Sequence, residues 1–188
     1  PEFVKALSDF TGIPNLVADE MLEGGGIHQT QKGGFLNIHA DFTVHPHKDN
    51  YRRRVNLILY LNKNWKPEYG GDLELWDRKM ENCEASIAPL FNRAAIFNTD
   101  ETSYHGLPDP LNCPEDETRK SIALYYFTKE DKKPKLRTTD YKARPNDSGK
   151  FMIWLDKKII SLYTRVKRTF GLSDDFASKI LNIFSRKK

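Results

Sequence analysis

Cysteine is scarce in this sequence. Cys83 and Cys113 are the two cysteines among 188 residues, too few for a disulfide framework and not at the spacing of a zinc site. The sequence therefore predicts reduced thiols in a cytoplasmic protein, with a single disulfide bridge as the alternative.

Long apolar runs are also missing. No segment approaches the roughly 18 consecutive apolar residues that a transmembrane helix needs, which excludes a membrane span. The first 16 residues mix Glu2, Lys5 and Asp9 among their apolar residues, unlike the core of a signal peptide. Because the sequence begins with Pro1 rather than Met, we expect a fragment or a processed chain, and what precedes Pro1 is not specified.

The charge of the chain is unevenly distributed. Residues 1–130 carry 14 Lys and Arg against 20 Asp and Glu, a balance of −6, whereas residues 131–188 carry 16 basic and 6 acidic residues, a balance of +10. We therefore divide the chain into a body at 1–130 and a basic tail at 131–188. An acidic partner, if there is one, would bind the tail.

The body is predicted to be mainly β. Runs of alternating apolar and polar residues, or of β-branched and aromatic residues, are separated by turn residues. The predicted strands are 35–42, 55–62, 73–76, 92–97, 104–107 and 121–128. Many short strands at this spacing favour an antiparallel sandwich or barrel.

Helices are predicted on both sides of the strands. Apolar periodicity at 2–10 and 14–22 predicts one or two short helices, packed against the sheet. Residues 129–150 have no apolar periodicity and predict an extended linking segment. Two amphipathic helices follow at 152–170 and 173–184, and Gly171 is well placed to end the first.

A candidate metal site begins with His39 and Asp41. Residues two apart on a strand point to the same face, so the imidazole and the carboxylate can converge. His105, beyond a later strand, is the natural third ligand of a facial site with two His and one carboxylate, which leaves positions open on an iron ion. A His-x-Asp pair alone is weak evidence, because such pairs often occur by chance.

Arg119 and Ser121 begin the last strand and point the same way. A guanidinium inside a sheet needs a carboxylate, because burying it unpaired is costly and its planar fork matches a carboxylate. The far carboxylate of 2-oxoglutarate would meet that need. An ion pair with Asp116 or Glu117 at a loop edge is the equally weighted alternative.

An ordered set of motifs carries a family resemblance. The motifs are HAD at 39–41, VNLILYLNKNW at 55–65, GGDL at 70–73, HG at 105–106 and RKSIALYYF at 119–127. In this order they resemble the catalytic domain of iron(II)- and 2-oxoglutarate-dependent prolyl hydroxylases, over residues 33–128. The resemblance implies a double-stranded β-helix, a jelly roll of the cupin type, with the metal inside the barrel mouth.

The resemblance also implies roles for single residues. His39, Asp41 and His105 match the iron ligands, and Arg119 matches the residue that pairs with the far carboxylate of 2-oxoglutarate. Tyr60 stands where the family often has a phenol bonded to that carboxylate, and it shares a strand face with Asn56 and Ile58. Ser121 is expected to add a hydroxyl to the same pocket.

The implied activity is hydroxylation of a C–H bond in a peptidyl proline or another protein side chain. It is coupled to decarboxylation of 2-oxoglutarate to succinate, uses O2, and has ascorbate as a candidate reductant. Two alternatives stay open. One is the same chemistry on a small-molecule or sugar-linked substrate, and the other is a catalytically silent jelly-roll binding module.

Three further features have competing interpretations. His45 and His47 with Asp49 could form a second metal site, but imidazoles around a proline are more often solvated. The basic cluster at 52–54 is either structural, with one residue inward, or a rim that attracts an acidic substrate. The C-terminal helices are expected to pack on the barrel or on a second subunit. Contact with nucleic acid or a membrane surface is the less favoured alternative.

Overall fold

A computed structural model describes residues 2–147 of the protein. The chain divides into two units, Pro1–Ser148 and Gly149–Lys188, and all described residues belong to the first. The helices predicted at 152–170 and 173–184 therefore lie outside the described residues. The described part is mainly β, as the sequence predicts, with one α-helix, one 3-10 helix at Pro67–Tyr69 and ten strands.

Each of the six predicted strand regions contains a strand. In chain order, β1 to β10 are Val17–Ala18, Gly26–Thr30, Leu36–Ala40, Tyr51–Tyr60, Leu73–Trp76, Cys83–Ile87, Ala94–Asn98, His105–Leu107, Arg119–Lys129 and Asp140–Tyr141. The sequence does not predict β1, β2, β6 and β10. These strands are short and have no buried residue, so they lack the apolar alternation that marks a half-buried strand.

Within residues 2–147 the strands form two antiparallel sheets. The first has the order β1-β9-β4-β7, with β2 also paired to β9, and the second has the order β10-β3-β8-β5-β6. The longest ladder joins β4 to β9, from Tyr51 opposite Lys129 to Tyr60 opposite Ser121. This ladder fixes which side chains of the first sheet point toward the second.

Strand β4 separates two apolar layers. Val55 and Leu57 pack with the N-terminal helix on one face. On the other face, Tyr60 and Ile58 pack with Leu73 of the second sheet. Since burying one large apolar side chain contributes roughly 1.5–3 kcal/mol, both layers stabilise the position of this strand. The face that carries Asn56, Ile58 and Tyr60 is the interior one, as the alternation predicts.

The N-terminal helix, α1, spans Glu2–Thr11, which confirms the helix predicted there. Leu7 is buried against the first sheet. Gly12 follows with φ 68°, a left-handed conformation that glycine adopts without steric cost and that ends the helix. Nowhere between residues 2 and 147 is a helix long and apolar enough to cross a membrane.

The helix predicted at 14–22 is wrong. Asn15 and Leu22 have φ of 57° and 50°, values that an α-helix does not contain. Between them, β1 pairs with the end of β9 through Val17 and Phe127. Sheet pairing and turn geometry therefore outweigh the apolar periodicity of this segment.

Asp19 ties the turn after β1 to the loop after β3. Its carboxylate accepts hydrogen bonds from the backbone N–H groups of Met21 at 3.0 Å and Glu23 at 2.7 Å. His45 Nε2 lies 3.1 Å from Asp19 Oδ1, and His45 Nδ1 accepts the N–H of His47, so Nε2 carries the proton and donates. The prediction of two solvated imidazoles is therefore wrong for His45, which is buried, and correct for the exposed His47.

The segment after β9 attaches to the second sheet. β10 pairs with β3, and Tyr141 lies opposite His39. Arg144 binds Asp109 at 2.7 Å and Glu74 at 3.4 Å, which connects this segment to the loop after β8 and to β5. Part of the stretch predicted as a linking segment is thus a strand at the edge of the sheet.

Replacing Asp19 with Asn should destabilise the protein mainly above pH 4. Burial alone would raise the pKa of Asp19, but the hydrogen bonds from Glu23, His45 and Met21 lower it below 3.8. The stability that the charged form contributes is present above the unfolded pKa and is lost as pH falls through the folded pKa. We expect Asp19→Asn to lower the free energy of unfolding by about 1–3 kcal/mol at neutral pH.

Urea unfolding followed by circular dichroism at pH 7 and pH 3 measures this difference. Asp9→Asn is the matched control, because Asp9 is exposed and pairs with Lys5 at the surface. A difference between wild type and Asp19→Asn that is as large at pH 3 as at pH 7 would contradict the electrostatic explanation.

Candidate active site

The pairing of β3 with β8 brings three predicted ligands together. His39 lies directly opposite His105 in this ladder, and their ring centroids are 4.5 Å apart. Asp41 follows the last residue of β3. One potential ligand atom from each of His39, Asp41 and His105 lies within 4.8 Å of the others, and no second cluster of this kind occurs in the described part of the chain.

The hydrogen bonds of the two imidazoles fix their tautomers. His39 Nδ1 lies 2.9 Å from the carbonyl oxygen of Asn37, and His105 Nδ1 lies 2.9 Å from that of Ser103. A carbonyl only accepts, so each Nδ1 carries a proton, and in the neutral ring Nε2 has a free lone pair. Both Nε2 atoms are 3.5 Å from oxygens of Asp41.

The charge states of these groups suit a cation. Burial, with the nearby His39, lowers the pKa of His105 to about 4, so its ring is neutral at physiological pH. Burial alone would raise the pKa of Asp41, but the positive charge of Arg53 beside it holds that pKa well below the usual range. Two lone pairs and a carboxylate therefore converge, which is the donor set of a divalent metal site.

Arg119 is a buried cation that forms no salt bridge in residues 2–147. Its side chain is almost inaccessible, at 5% exposure. Nε donates to the carbonyl oxygen of Gly71 at 2.7 Å, and the guanidinium carbon lies 5.0 Å from the ring centroid of Tyr60. The alternative ion pair with Asp116 or Glu117 does not form. A buried guanidinium in this state is costly unless a bound anion completes its surroundings.

Tyr60 and Ser121 lie next to this arginine. Tyr60 is fully buried, and its hydroxyl has no hydrogen-bond partner among residues 2–147. Burial raises the pKa of Tyr60 despite the opposing charge of Arg119, so the phenol keeps its proton and can donate. Ser121, also buried, is directly opposite Tyr60 in the β4–β9 ladder. Arg119, Tyr60 and Ser121 are thus neighbouring polar groups in the interior of the protein.

A single cavity of about 530 Å³ connects the two groups of residues. His39, Asp41 and His105 line one part of its wall, and Arg119 and Ser121 line another. Tyr60 is adjacent to this wall, in contact with Arg119. The cavity can therefore accept a dicarboxylate with one end at the histidines and the other at the guanidinium.

Two buried residues beside Asp41 are missing from the predicted site. Arg53 donates to Asp41 Oδ2 at 2.9 Å, and Asn56 Nδ2 donates to the same oxygen at 2.8 Å. Arg53 is the inward member of the basic cluster at 52–54, which favours the structural interpretation of that cluster. For Asn56, the sequence offered one signal of a functional role: it is a polar residue on the face of β4 that was predicted to be interior.

Comparison with known families gives one clear match. A model of the 2OG-Fe(II) oxygenase superfamily matches residues 25–127, which is more than half of the chain. The matched region runs from the residue before β2 to near the end of β9. It contains all six residues predicted for the site.

Individual proteins resemble the chain more distantly. Prolyl 3-hydroxylase OGFOD1 of Mus musculus is 29% identical over 79 residues, which are 40% of this chain and 14% of that protein. A prolyl 4-hydroxylase structure from Phytophthora capsici aligns with a TM-score of 0.50 at 20% identity, over 83% of this chain and 48% of that one, and shows a similar fold. A Pseudomonas putida prolyl-4-hydroxylase aligns with a TM-score of 0.41 at 19% identity, over 69% and 61%. This chain therefore spans only part of each relative.

Removing the hydroxyl of Tyr60 should not destabilise the ligand-free protein. A buried hydroxyl without a partner costs about 1–3 kcal/mol of desolvation, so Tyr60→Phe is expected to leave the free energy of unfolding unchanged or to raise it slightly. Tyr125→Phe is the matched control, because the Tyr125 hydroxyl donates to the carbonyl of Gly24 at 2.8 Å. That loss should cost about 0.5–1.5 kcal/mol.

Chemical denaturation of the two variants and the wild type, without metal or 2-oxoglutarate, makes the comparison. If Tyr60→Phe loses as much stability as Tyr125→Phe, the Tyr60 hydroxyl has a structural partner and is not held for a ligand.

Proposed function

Because this chain belongs to the 2OG-Fe(II) oxygenase superfamily, we propose that it is an iron(II)- and 2-oxoglutarate-dependent dioxygenase that hydroxylates a C–H bond. The two antiparallel sheets would then be the halves of a double-stranded β-helix. His39, Asp41 and His105 would hold the iron. Arg119, Tyr60 and Ser121 would bind the far carboxylate of 2-oxoglutarate.

One observation carries this proposal. A buried arginine that forms no salt bridge in the described part of the chain and a cluster of two histidines and a carboxylate share a single cavity. Each feature alone is costly in a folded protein. A divalent cation together with a dicarboxylate would relieve both, because the cation accepts the three lone pairs and the dicarboxylate supplies the missing negative charge.

The protein's own groups position the co-substrate. Arg119 Nε donates its hydrogen bond to the Gly71 carbonyl oxygen, which leaves the two terminal nitrogens of the guanidinium for a carboxylate. The Gly71 carbonyl also fixes the direction of the guanidinium. Gly71 itself has φ 80°, and a Cβ there would lie 2.4 Å from a methyl carbon of Leu111 and 3.0 Å from Arg119 Cδ. A glycine is therefore required where the chain supports the arginine.

Iron would supply the oxidative chemistry when bound. In that reaction 2-oxoglutarate loses CO2 and becomes succinate, one atom of O2 enters the succinate, and the other enters the substrate C–H bond as a hydroxyl. His39, Asp41 and His105 would supply three ligands, and the remaining coordination positions would be open to 2-oxoglutarate and O2. The buried walls of the cavity limit the access of water to the reacting atoms.

The proposed target is a peptidyl proline or another protein side chain. The similar mouse protein is named a prolyl 3-hydroxylase. At the cavity wall, the side chains of Ile27 and Phe35 are exposed at 79% and 54%. Apolar groups at the entrance suit the methylene carbons of a proline ring and its neighbours in an extended peptide.

Turnover with iron(II) tests the proposal. Purified protein with iron(II), ascorbate, 2-oxoglutarate and a set of proline-containing peptides should produce succinate and a peptide heavier by one oxygen atom. His39→Ala and Asp41→Ala should abolish both products, because each removes one of three ligands. His47→Ala is the control, since that imidazole is exposed and pairs with Glu23.

The other outcomes separate the alternatives. Succinate formed with metabolites but never with peptides would favour a small-molecule substrate. A folded protein that binds neither iron(II) nor 2-oxoglutarate would instead be a silent binding module. Full turnover by Asp41→Ala would refute the ligand assignment.

Arg119→Lys should weaken the apparent affinity for 2-oxoglutarate by roughly 10- to 100-fold, the equivalent of losing about 1.5–3 kcal/mol of charge-assisted hydrogen bonding. Lysine keeps the charge but cannot offer the planar fork. The maximal rate at saturating 2-oxoglutarate should change much less, because the metal ligands are intact. Initial rates of succinate formation against 2-oxoglutarate concentration measure both parameters.

Arg93→Lys makes the same chemical change at an exposed position and should have little effect on either parameter. A large fall in the maximal rate of Arg119→Lys, with unchanged affinity, would argue against a role for Arg119 in binding the co-substrate.

A further inference from the structure

We propose that Asn56, together with Arg53, is a positioning residue that fixes the carboxylate of Asp41 and leaves its Oδ1 oxygen for the metal. This inference rests on the proposed function, because it takes the cluster of His39, Asp41 and His105 as a metal site. It assigns a role to two residues that lie outside that cluster and outside the predicted co-substrate pocket.

Both donors bind the same oxygen of Asp41. Asn56 Nδ2 lies 2.8 Å and an Arg53 terminal nitrogen 2.9 Å from Oδ2. In residues 2–147, by contrast, no hydrogen-bond donor binds Oδ1, and His39 Nε2 lies 3.5 Å from it. Because the His39 proton is on Nδ1, that nitrogen offers a lone pair rather than a hydrogen. Both oxygens border the cluster, since Oδ2 lies 3.5 Å from His105 Nε2, but Oδ1 is the oxygen with unused acceptor capacity.

The two donors also hold each other. Asn56 Oδ1 accepts hydrogen bonds from Arg53 Nε at 2.9 Å and from an Arg53 terminal nitrogen at 2.7 Å. It accepts a third from the hydroxyl of Thr99 on the loop after β7, at 3.1 Å. With its oxygen occupied in this way, the Asn56 amide can present only its NH2 group to Asp41. The amide orientation is thus determined by the network.

Packing prevents Arg53 from leaving this position. Its side chain is 1% exposed. The guanidinium carbon lies 3.4 Å from the ring centroid of Tyr125 and 4.6 Å from that of Phe42, so the cation is held between two aromatic faces. A guanidinium that cannot move and an amide that cannot turn together hold the plane of the Asp41 carboxylate.

A local irregularity of β4 makes the network possible. Arg53 and Asn56 are three residues apart and would point to opposite faces of a regular strand. The pairing of β4 with β9 shifts between Arg53 and Val55, because Arg53 is opposite Phe127 whereas Val55 is opposite Tyr126. The extra residue, Arg54, reverses the alternation. Such bulges redirect side chains beside active sites, and here the bulge turns both residues toward Asp41.

The chemical consequence concerns how many oxygens Asp41 gives to a metal. A carboxylate that is free to rotate can bind with either one oxygen or both. Holding Oδ2 with two donors favours binding through Oδ1 alone. One coordination position is then kept for a co-substrate or O2, as the proposed reaction requires. Partners of metal ligands generally change metal affinity by about 10- to 100-fold when they are removed.

Cobalt(II) binding to the metal-free full chain tests the inference without turnover. The affinity comes from titration, and the visible absorption bands of cobalt(II) report its coordination. Asn56→Ala is expected to bind cobalt(II) roughly 10- to 100-fold more weakly, with altered bands. Asn56→Thr keeps a residue that favours strands, but its hydroxyl is too short to bridge Arg53 and Asp41, so the same changes are expected. Arg52→Ala, at a half-exposed neighbouring position, should match the wild type.

The outcomes separate this inference from the proposed function. A wild-type chain that binds no cobalt(II) would overturn both. Wild-type affinity and unchanged bands in either folded Asn56 variant, with folding checked by thermal unfolding, would overturn only the positioning role. One further measurement needs no variant. A crystal structure of the wild-type cobalt(II) complex should show Oδ1 alone within bonding distance, and two bound oxygens of Asp41 would also overturn the inference.

Discussion

The antiparallel register between β3 and β8 is the constraint on which the candidate site depends. It places His39 directly opposite His105, although 65 residues lie between them in the sequence. Each backbone carbonyl that orients an imidazole lies two residues before its histidine, at Asn37 and at Ser103. The same local geometry therefore occurs on both strands. A shift of one residue in this ladder would turn one imidazole away from Asp41, so the sheet determines the donor set.

The site concentrates groups that are unfavourable in an empty protein. Two Nε2 lone pairs face a carboxylate at 3.5 Å, and the Tyr60 hydroxyl is buried with no hydrogen-bond partner among the described residues. Nearby, Arg119 is a cation with no ion pair in the described part of the chain. Structures tolerate such groups when a ligand satisfies them or when the surrounding fold is stable enough. Here the unsatisfied groups occur together and have complementary charges, which is why a cation and a dicarboxylate explain them better than separate local effects would.

Sequence reasoning found the residues whose type and spacing are distinctive and missed those that depend on tertiary contacts. Strand periodicity predicts that His39 and Asp41 point to the same side. It also predicts which face of β4 is interior. Asn56 was recognised as inward, but its partner Arg53 could not be, because the bulge at Arg54 reverses the periodicity there. His45 looked like a loop residue, and only the fold brings the carboxylate of Asp19 to it. The helix predicted at 14–22 failed because pairing with β9 cannot be seen within that segment.

Strand β4 links the two halves of the site. Near its start, Arg53 and Asn56 hold Asp41, and at its end Tyr60 lies beneath Arg119. Opposite it, β9 carries Ser121 and Arg119, paired in the same ladder. The side chains that hold Asp41 and those that surround the guanidinium are thus spaced along one ladder of the first sheet. A co-substrate that must reach from the histidines to Arg119 would be selected by its length as well as by its charge. Such a site would distinguish a dicarboxylate of one length from shorter and longer ones.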